Sequence, residues 1–422
     1  MNLSPRNVGR RSSPAVHGDP RSATSPARRA GFGFVGLAVA FAVVMSFMTV
    51  PTPLYGLYSA KNGFSDFTIT IIFAAYGAGV LIGLLLLGHV SDHIGRKPIL
   101  LGSILVQIGC AAAFAALTGT DALIVLRLVT GLCVGVFSTA ATAALTELYS
   151  SWRPDGRPAL AQTVANTANL GGLAGGPLVA GAIYAATDSI TAPYLVYVGL
   201  LTASLLAVAL APESVPRTAG DERWHYRPQA VRVDPQVRTP FLGAAVAAFA
   251  GFAVLGFITA LTGQFLAHVG TPSALTTGVV ATTVLTGGIV SQWVFARASV
   301  RRRLTVGAGL MAGGALLIGA AALAGSLPLY LVGGFLASGG NGLAFSSAVA
   351  TVIAITPAQT RGATLAALFL AAYTGTTVPV IAIGALLLSF GMVSVTVAFA
   401  ILIAITVPAG IAILVRNLHG SL

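Results

Sequence analysis

Acidic residues are scarce in this chain. Of 422 residues only 11 are Asp or Glu, and none follows Asp234. Charged residues of all kinds make up 8%, against 56% hydrophobic. A water-soluble domain carries roughly a quarter charged residues, so this composition excludes one and leaves a polytopic membrane protein. No carboxylate lies in the middle of any apolar run, which argues against a cation site built on a deep acid. Cysteine is nearly missing too. Cys110 and Cys133 both sit inside apolar runs, with neither a disulfide framework nor a metal-ligand spacing. The six histidines are scattered: His17 and His225 in polar stretches, His89 and His93 in one loop, His268 and His419 near run ends. That pattern offers no metal centre, and so no metal-dependent membrane enzyme. Nothing resembles a phosphate-binding Gly-Lys-Ser loop, so direct use of ATP is not expected, nor is any cofactor.

What the chain has instead is long apolar runs. They fall at about 31–55, 66–87, 98–118, 121–146, 159–186 and 190–211, then at about 240–268, 272–296, 304–323, 327–355, 360–388 and 390–415. Each is long enough to cross roughly 30 Å of hydrocarbon at about 20 residues per span. The sequence therefore predicts an all-α membrane protein of twelve transmembrane helices. Residues 1–30, rich in Ser, Pro and Arg, read as a disordered tail. No small-residue cleavage site ends the first run, so it is not read as a cleavable signal. Residues 31–211 form a first set of six helices, 212–239 a solvated linker, 240–416 a second set, and 417–422 a short tail.

Charge placement orients this chain. Of 23 basic residues, only Lys61 falls on the outer side and only Arg127 inside a run, if both ends are cytoplasmic. That asymmetry is what the positive-inside rule demands. It also accounts for the net charge of +12 without nucleic acid, because the basic side faces anionic lipid headgroups. The expected location is the cell membrane, with both termini cytoplasmic.

Between the second and third runs lies Gly88-His89-Val90-Ser91-Asp92-His93-Ile94-Gly95-Arg96-Lys97-Pro98. So short a connection makes the two helices antiparallel neighbours. Gly88 and Gly95 permit backbone angles and approaches that a Cβ opposes. Pro98 suits the first turn of a helix. The pattern G-x-x-x-D-x-x-G-R-K-P resembles the loop between helices 2 and 3 of the major facilitator superfamily of transporters. The resemblance implies two pseudo-repeated six-helix bundles with a substrate site between them. It also implies that Asp92 docks the first bundle on the cytoplasmic start of helix 11, near Thr356-Pro357, when the cavity opens outward. Glu147, at the cytoplasmic end of helix 4, would join Arg96 in that charge cluster. A faint second copy supports the repeat: Arg96 precedes Gly102 as Arg301 precedes Gly307, with Trp293, Arg297 and Val300 in place of Gly88, Asp92 and Gly95.

Two further patterns resemble the same superfamily. Arg127-x-x-x-Gly131-x-x-x-Gly135 is similar to its helix-4 motif, with Thr130 where a glutamine is often found. The resemblance implies a part in proton-linked transport, with Arg127 tuning a neighbour rather than titrating. At about 9 Å from the membrane face by helical rise, the side chain could alternatively reach the headgroups. Gly172-Leu-Ala-Gly-Gly176-Pro177-Leu-Val-Ala180-Gly181 resembles the helix-5 motif of the antiporter branch, Ala180 replacing one glycine. In that branch this helix packs on helix 8 and restricts leakage, which favours export over uptake. Candidate cavity residues are the polar or aromatic groups Tyr55, Tyr76, Asn166, Asn169, Gln264, Gln292, Asn341 and Tyr373. Buried amides and phenols in a bilayer either meet substrate or join helices. The expected activity is export of a small drug- or antibiotic-like organic compound in exchange for protons, by a monomer closest to the twelve-helix drug:proton antiporters. The alternative is uptake of a sugar, organic acid or other small metabolite. A proton-free uniporter would suit the missing deep acids. No catalytic residue and no metal are expected.

Overall fold

The computed structural model describes residues 26–88, 90–214, 231–357 and 360–417. The expected N-terminal tail up to residue 25, most of the linker and the last five residues lie outside the described residues. So do the side chains of Asp92 and His93. Among the described residues all regular structure is helical, and twelve helices are long and apolar enough to span a membrane. Inside hydrocarbon a chain must satisfy its own N–H and C=O groups, and long apolar runs do so as helices.

Twelve helices, α1 to α12, alternate in direction. α1 runs from Pro26–Thr49 through Thr52–Leu54 to Tyr55–Asn62, α2 covers Asp66–Leu87, α3 Arg96–Ala116 and α4 Thr120–Trp152. α5 covers Pro158–Thr187, α6 Thr191–Leu210, α7 Arg238–His268 and α8 Ala274–Val294. α9 is Val300–Ala324, α10 Leu327–Ile355, α11 Arg361–Leu387 and α12 Met392–Asn417. The serines ahead of α2, α8, α9 and α10 (Ser65, Ser273, Ser299 and Ser326) accept from the backbone N–H three residues on, supplying one of the donors each helix start leaves free. The first helix begins at Pro26, not at 31, and it is not continuous. Pro51 and Pro53 have no N–H to give the Phe47 and Thr49 carbonyls, so the chain passes through a short 3-10 turn at Thr52–Leu54 before helix resumes at Tyr55.

The pairing of helices repeats with an offset of six. α1 packs on α4, α5 and α6, as α7 packs on α10, α11 and α12. α2 lies on α4 as α8 lies on α10, and α3 lies on α4 and α6 as α9 lies on α10 and α12. The result is two pseudo-repeated six-helix bundles, which meet mainly where α2 faces α11 and α5 faces α8. The described chain ends and the connection between bundles share one face, called here the terminal face; the opposite face is distal.

Candidate transport pathway between the bundles

The seam of α5 and α8 is built around Pro177. Its missing N–H leaves the Leu173 carbonyl without a helical donor. Thr49 Oγ1 of α1 donates to that oxygen at 2.9 Å, and Thr282 Oγ1 of α8 donates to the next carbonyl, Ala174, at 2.6 Å. The glycines of this motif serve two different neighbours. A Cβ on Gly172 would strike the Ala42 carbonyl and Met45, and one on Gly176 the Ser46 carbonyl and the Thr49 hydroxyl, all on α1. Only Gly181 faces α8, against Ala274 and Leu275, while Gly278 answers from α8 against Pro177 and Leu178.

Toward the terminal face the same two helices part. The gap holds a cavity of about 290 Å³ lined by Thr163, Asn166, Thr167 and Leu170 of α5 and by Ile289, Gln292, Trp293 and Ala296 on the α8 side. None of these side chains is ionised. On the other flank, Thr70 lies against Gly384 and Thr377 against Gly77, so α2 and α11 touch in their distal and middle parts. The distal side of the pathway is thus closed at both flanks, and the α5–α8 flank opens to the terminal face.

Arg127 lies deep in the first bundle and is 2% exposed. It does not reach for the headgroups, contrary to the snorkelling alternative. Nη1 donates to the Met48 carbonyl at 2.6 Å, at the point where α1 breaks. The guanidinium also stands over the Tyr76 ring at 4.7 Å and the Phe73 ring at 5.9 Å. Placing an arginine in the hydrocarbon costs up to about 2.5–3.5 kcal/mol on insertion scales, the figure for the helix centre. A charge-assisted hydrogen bond, about 1.5–3 kcal/mol, and a desolvated cation–π contact, about 2 kcal/mol, together at least offset that cost. Gly131 and Gly135 make the arrangement possible. They pack on the α2 backbone at Tyr76 and Val80, and Gly79 and Gly83 of α2 pack back on Leu128 and Leu132. This approach brings the Tyr76 ring under the arginine. The Tyr55 hydroxyl is also buried, beside the Arg127 guanidinium.

At the terminal face the loop before α3 is held by several ties. Gly95 has φ 96°, a conformation that L side chains resist. Arg96 pairs with Glu147 at 3.3 Å and donates to Ser91 Oγ at 2.8 Å. The chain leaving α6 closes over it: Lys97 Nζ donates to the Ala211 carbonyl at 2.7 Å, the Lys97 N–H donates to the Glu213 carboxylate at 3.3 Å, and Ser214 Oγ donates to Glu147 at 2.6 Å. Gly88 sits at the end of a wide π turn, its carbonyl accepting from Thr139 at 3.4 Å. The Asp92 side chain lies outside the described residues, so its contact with α11 rests on the loop resemblance.

The pattern of the Major Facilitator Superfamily matches residues 35–367. The chain belongs to this superfamily. Its fold resembles that of the nucleoside transporter NupG, with a TM-score of 0.68 at 12% identity over 90% of this chain and 99% of the other. It also resembles the human organic anion transporter MFSD10 (TETRAN), with a TM-score of 0.63 at 16% identity over 93% of this chain and 100% of the other. These likenesses speak to fold alone. A stretch of 89 residues is 36% identical to the 4-hydroxybenzoate transporter PcaK of Pseudomonas putida, covering 21% of this chain and 20% of that relative. The protein is thus a membrane transporter of the superfamily, not an enzyme.

Within this superfamily fold the eight candidate cavity residues separate. Asn166 and Gln292 line the terminal-face cavity, and Gln162 Nε2 donates to Asn166 Oδ1 at 3.1 Å. The other six do not line it. Tyr55 and Tyr76 surround Arg127. Asn341 is buried against Gly251, Tyr373 meets Phe252 at 5.4 Å between ring centres, and Asn169 and Gln264 are half-buried in α5 and α7. Polarity alone cannot tell a helix-joining amide from a cavity amide, because both sit in apolar runs. Thr163 and Thr167 were not singled out from the sequence, and Trp293 entered it only as the counterpart of Gly88: threonine is common in helix packing, and a tryptophan at a run's end is the ordinary residue of a membrane interface. Glu213 and Thr282 gave no signal, since their partners are 116 and 108 residues away.

Proposed function

We propose that this transporter exports a small organic compound, drug- or antibiotic-like and neutral or anionic, across the cell membrane by alternating access in exchange for protons. The terminal face is cytoplasmic in this reading, as the distribution of Lys and Arg requires. The observation that carries the substrate class is the lining of the cavity: amides, hydroxyls and apolar groups, with no ionised side chain. Arg127 adds to it, as a buried cation with no carboxylate paired to it among the described residues. Such an interior repels cations. The direction rests on the α5 sequence, which resembles the antiporter branch. The charge cluster of Arg96, Glu147 and Asp92 serves as the gate in this reading, with Asp92 latching on the start of α11 when the cavity faces outward. A proton site would be one of the acids near a membrane face: Asp66, Asp92, Asp121 or Glu147.

A second reading is uptake of an organic acid. It is favoured by the same arginine, which has no carboxylate partner among the described residues, and by the short similarity to the 4-hydroxybenzoate transporter. Transport into inside-out vesicles separates the two. Under an imposed pH gradient, acid inside, accumulation of a neutral or anionic panel compound is expected for the exporter. Accumulation only in right-side-out vesicles establishes uptake instead, and accumulation of cations alone overturns the substrate class.

A further inference from the structure

The threonines of α8 behave differently from one another. Thr277, Thr283 and Thr286 each donate to the carbonyl four residues back in their own helix: Ser273, Val279 and Thr282. That is the ordinary use of a helical threonine hydroxyl. Thr282 does otherwise: its hydroxyl donates to the Ala174 carbonyl of α5, in the other bundle. Its acceptor lies in the turn that the Pro177 ring opens, where carbonyls tilt away from the helix axis.

The position of this bond along the seam matters. α5 and α8 run antiparallel in one register. Gly181 meets Ala274, Pro177 meets Gly278, and Ala174 meets Thr282. From there toward the terminal face the helices part around the cavity, whose lining begins at Leu170 and Ile289. Thr282 therefore closes the inner edge of the distal seam, about 10 Å of helix from Gly181 at 1.5 Å per residue. Its counterpart Thr49 takes the neighbouring Leu173 carbonyl from within the same bundle, so that bond travels with α5. The Thr282 bond cannot travel with both bundles.

We infer that Thr282 is a positioning residue that holds the distal seam shut by donating to Ala174, and that it lets go when the distal side opens. This rests on the alternating-access reading. Glycines at 181 and 278 supply close contact without direction; the hydroxyl supplies the directional tie, and Ala174 loses that donor whenever the helices separate.

The test is a distance measurement by pulsed electron resonance. Spin labels are placed through Thr187→Cys, exposed at the distal end of α5, and Thr271→Cys, exposed in the distal connection three residues before α8, after Cys110→Ser and Cys133→Ser. Thr282→Val keeps the shape and removes the donor. An interhelical hydrogen bond in a bilayer implies roughly a threefold or larger rise in the ratio of long to short distances. Thr282→Ser should restore the parent distribution, and Thr283→Val, whose hydroxyl serves only its own helix, should leave it unchanged. A parent-like distribution in Thr282→Val overturns the inference, as does an equal shift in Thr283→Val. If Thr282→Val resists purification, the same cysteine pair is cross-linked in native membranes carrying Thr282→Ala, where slower cross-linking is expected and an unchanged rate refutes it. The measurement needs no substrate, so failure to transport every panel compound would sink the export reading and leave this result standing.

Discussion

Arg127 Nη1 donates to the Met48 carbonyl oxygen at 2.6 Å, tying α4 to the break in α1. The carbonyl belongs to the last turn of a helix whose C-terminal end carries partial negative charge. A cation there has a partner without any carboxylate. The two prolines that break α1 and the buried Arg127 thus belong to one arrangement.

Arg127→Lys tests that arrangement. A lysine keeps the charge but has no planar fork to bond the carbonyl while stacking on Tyr76. The initial transport rate in vesicles is expected to fall about tenfold, which corresponds to losing roughly 1.4 kcal/mol. Arg127→Gln should fall further. A full rate with lysine would show that charge alone suffices.

The glycine contacts of α4 predict a contrast in stability. Gly131→Val drives its side chain into the Tyr76 backbone, and overpacking of this kind costs about 1–3 kcal/mol or more. Gly102 of α3 has open space around it, so Gly102→Ala should be neutral or slightly stabilising. Thermal unfolding in detergent compares the two, and equal melting temperatures would contradict the packing described.

The Arg96–Glu147 pair is partly exposed, at 14% and 28% for the two side chains. Water screens such a pair, so a double-mutant cycle with Arg96→Gln and Glu147→Gln should give a coupling of about 1 kcal/mol or less in stability. Transport should fall much more than stability in the single variants if the cluster gates. Asp92→Asn is expected to insert normally and to transport poorly. Normal transport in both Asp92→Asn and Glu147→Gln would remove the gate.

Selectivity should follow cavity charge. Asn166→Asp or Gln292→Glu introduces a carboxylate into an uncharged lining. At an effective dielectric near 20, two unit charges 4 Å apart interact by about 4 kcal/mol. Competition assays should show anionic compounds losing potency at least tenfold, and cationic ones gaining. Unchanged ranking would place the substrate elsewhere.

The sequence by itself determined the membrane character, the twelve spans and the likeness to the superfamily. Each of these follows from composition, from run length, or from a contiguous pattern such as Gly88 to Pro98. Hydrocarbon leaves a long apolar run no other option than helix, so span count needs no tertiary information. The tertiary structure alone decided which helix each motif faces. Gly172 and Gly176 turned to α1 while Gly181 turned to α8, although all three lie in one motif of one helix. It also decided that Arg127 points inward to Met48 rather than outward to water, and that two of eight polar candidates line the open cavity. The physical reason is the same in each case. A side chain's direction around its helix is set by neighbours tens to hundreds of residues distant, and a lone polar residue in an apolar run carries no mark of which neighbour that is.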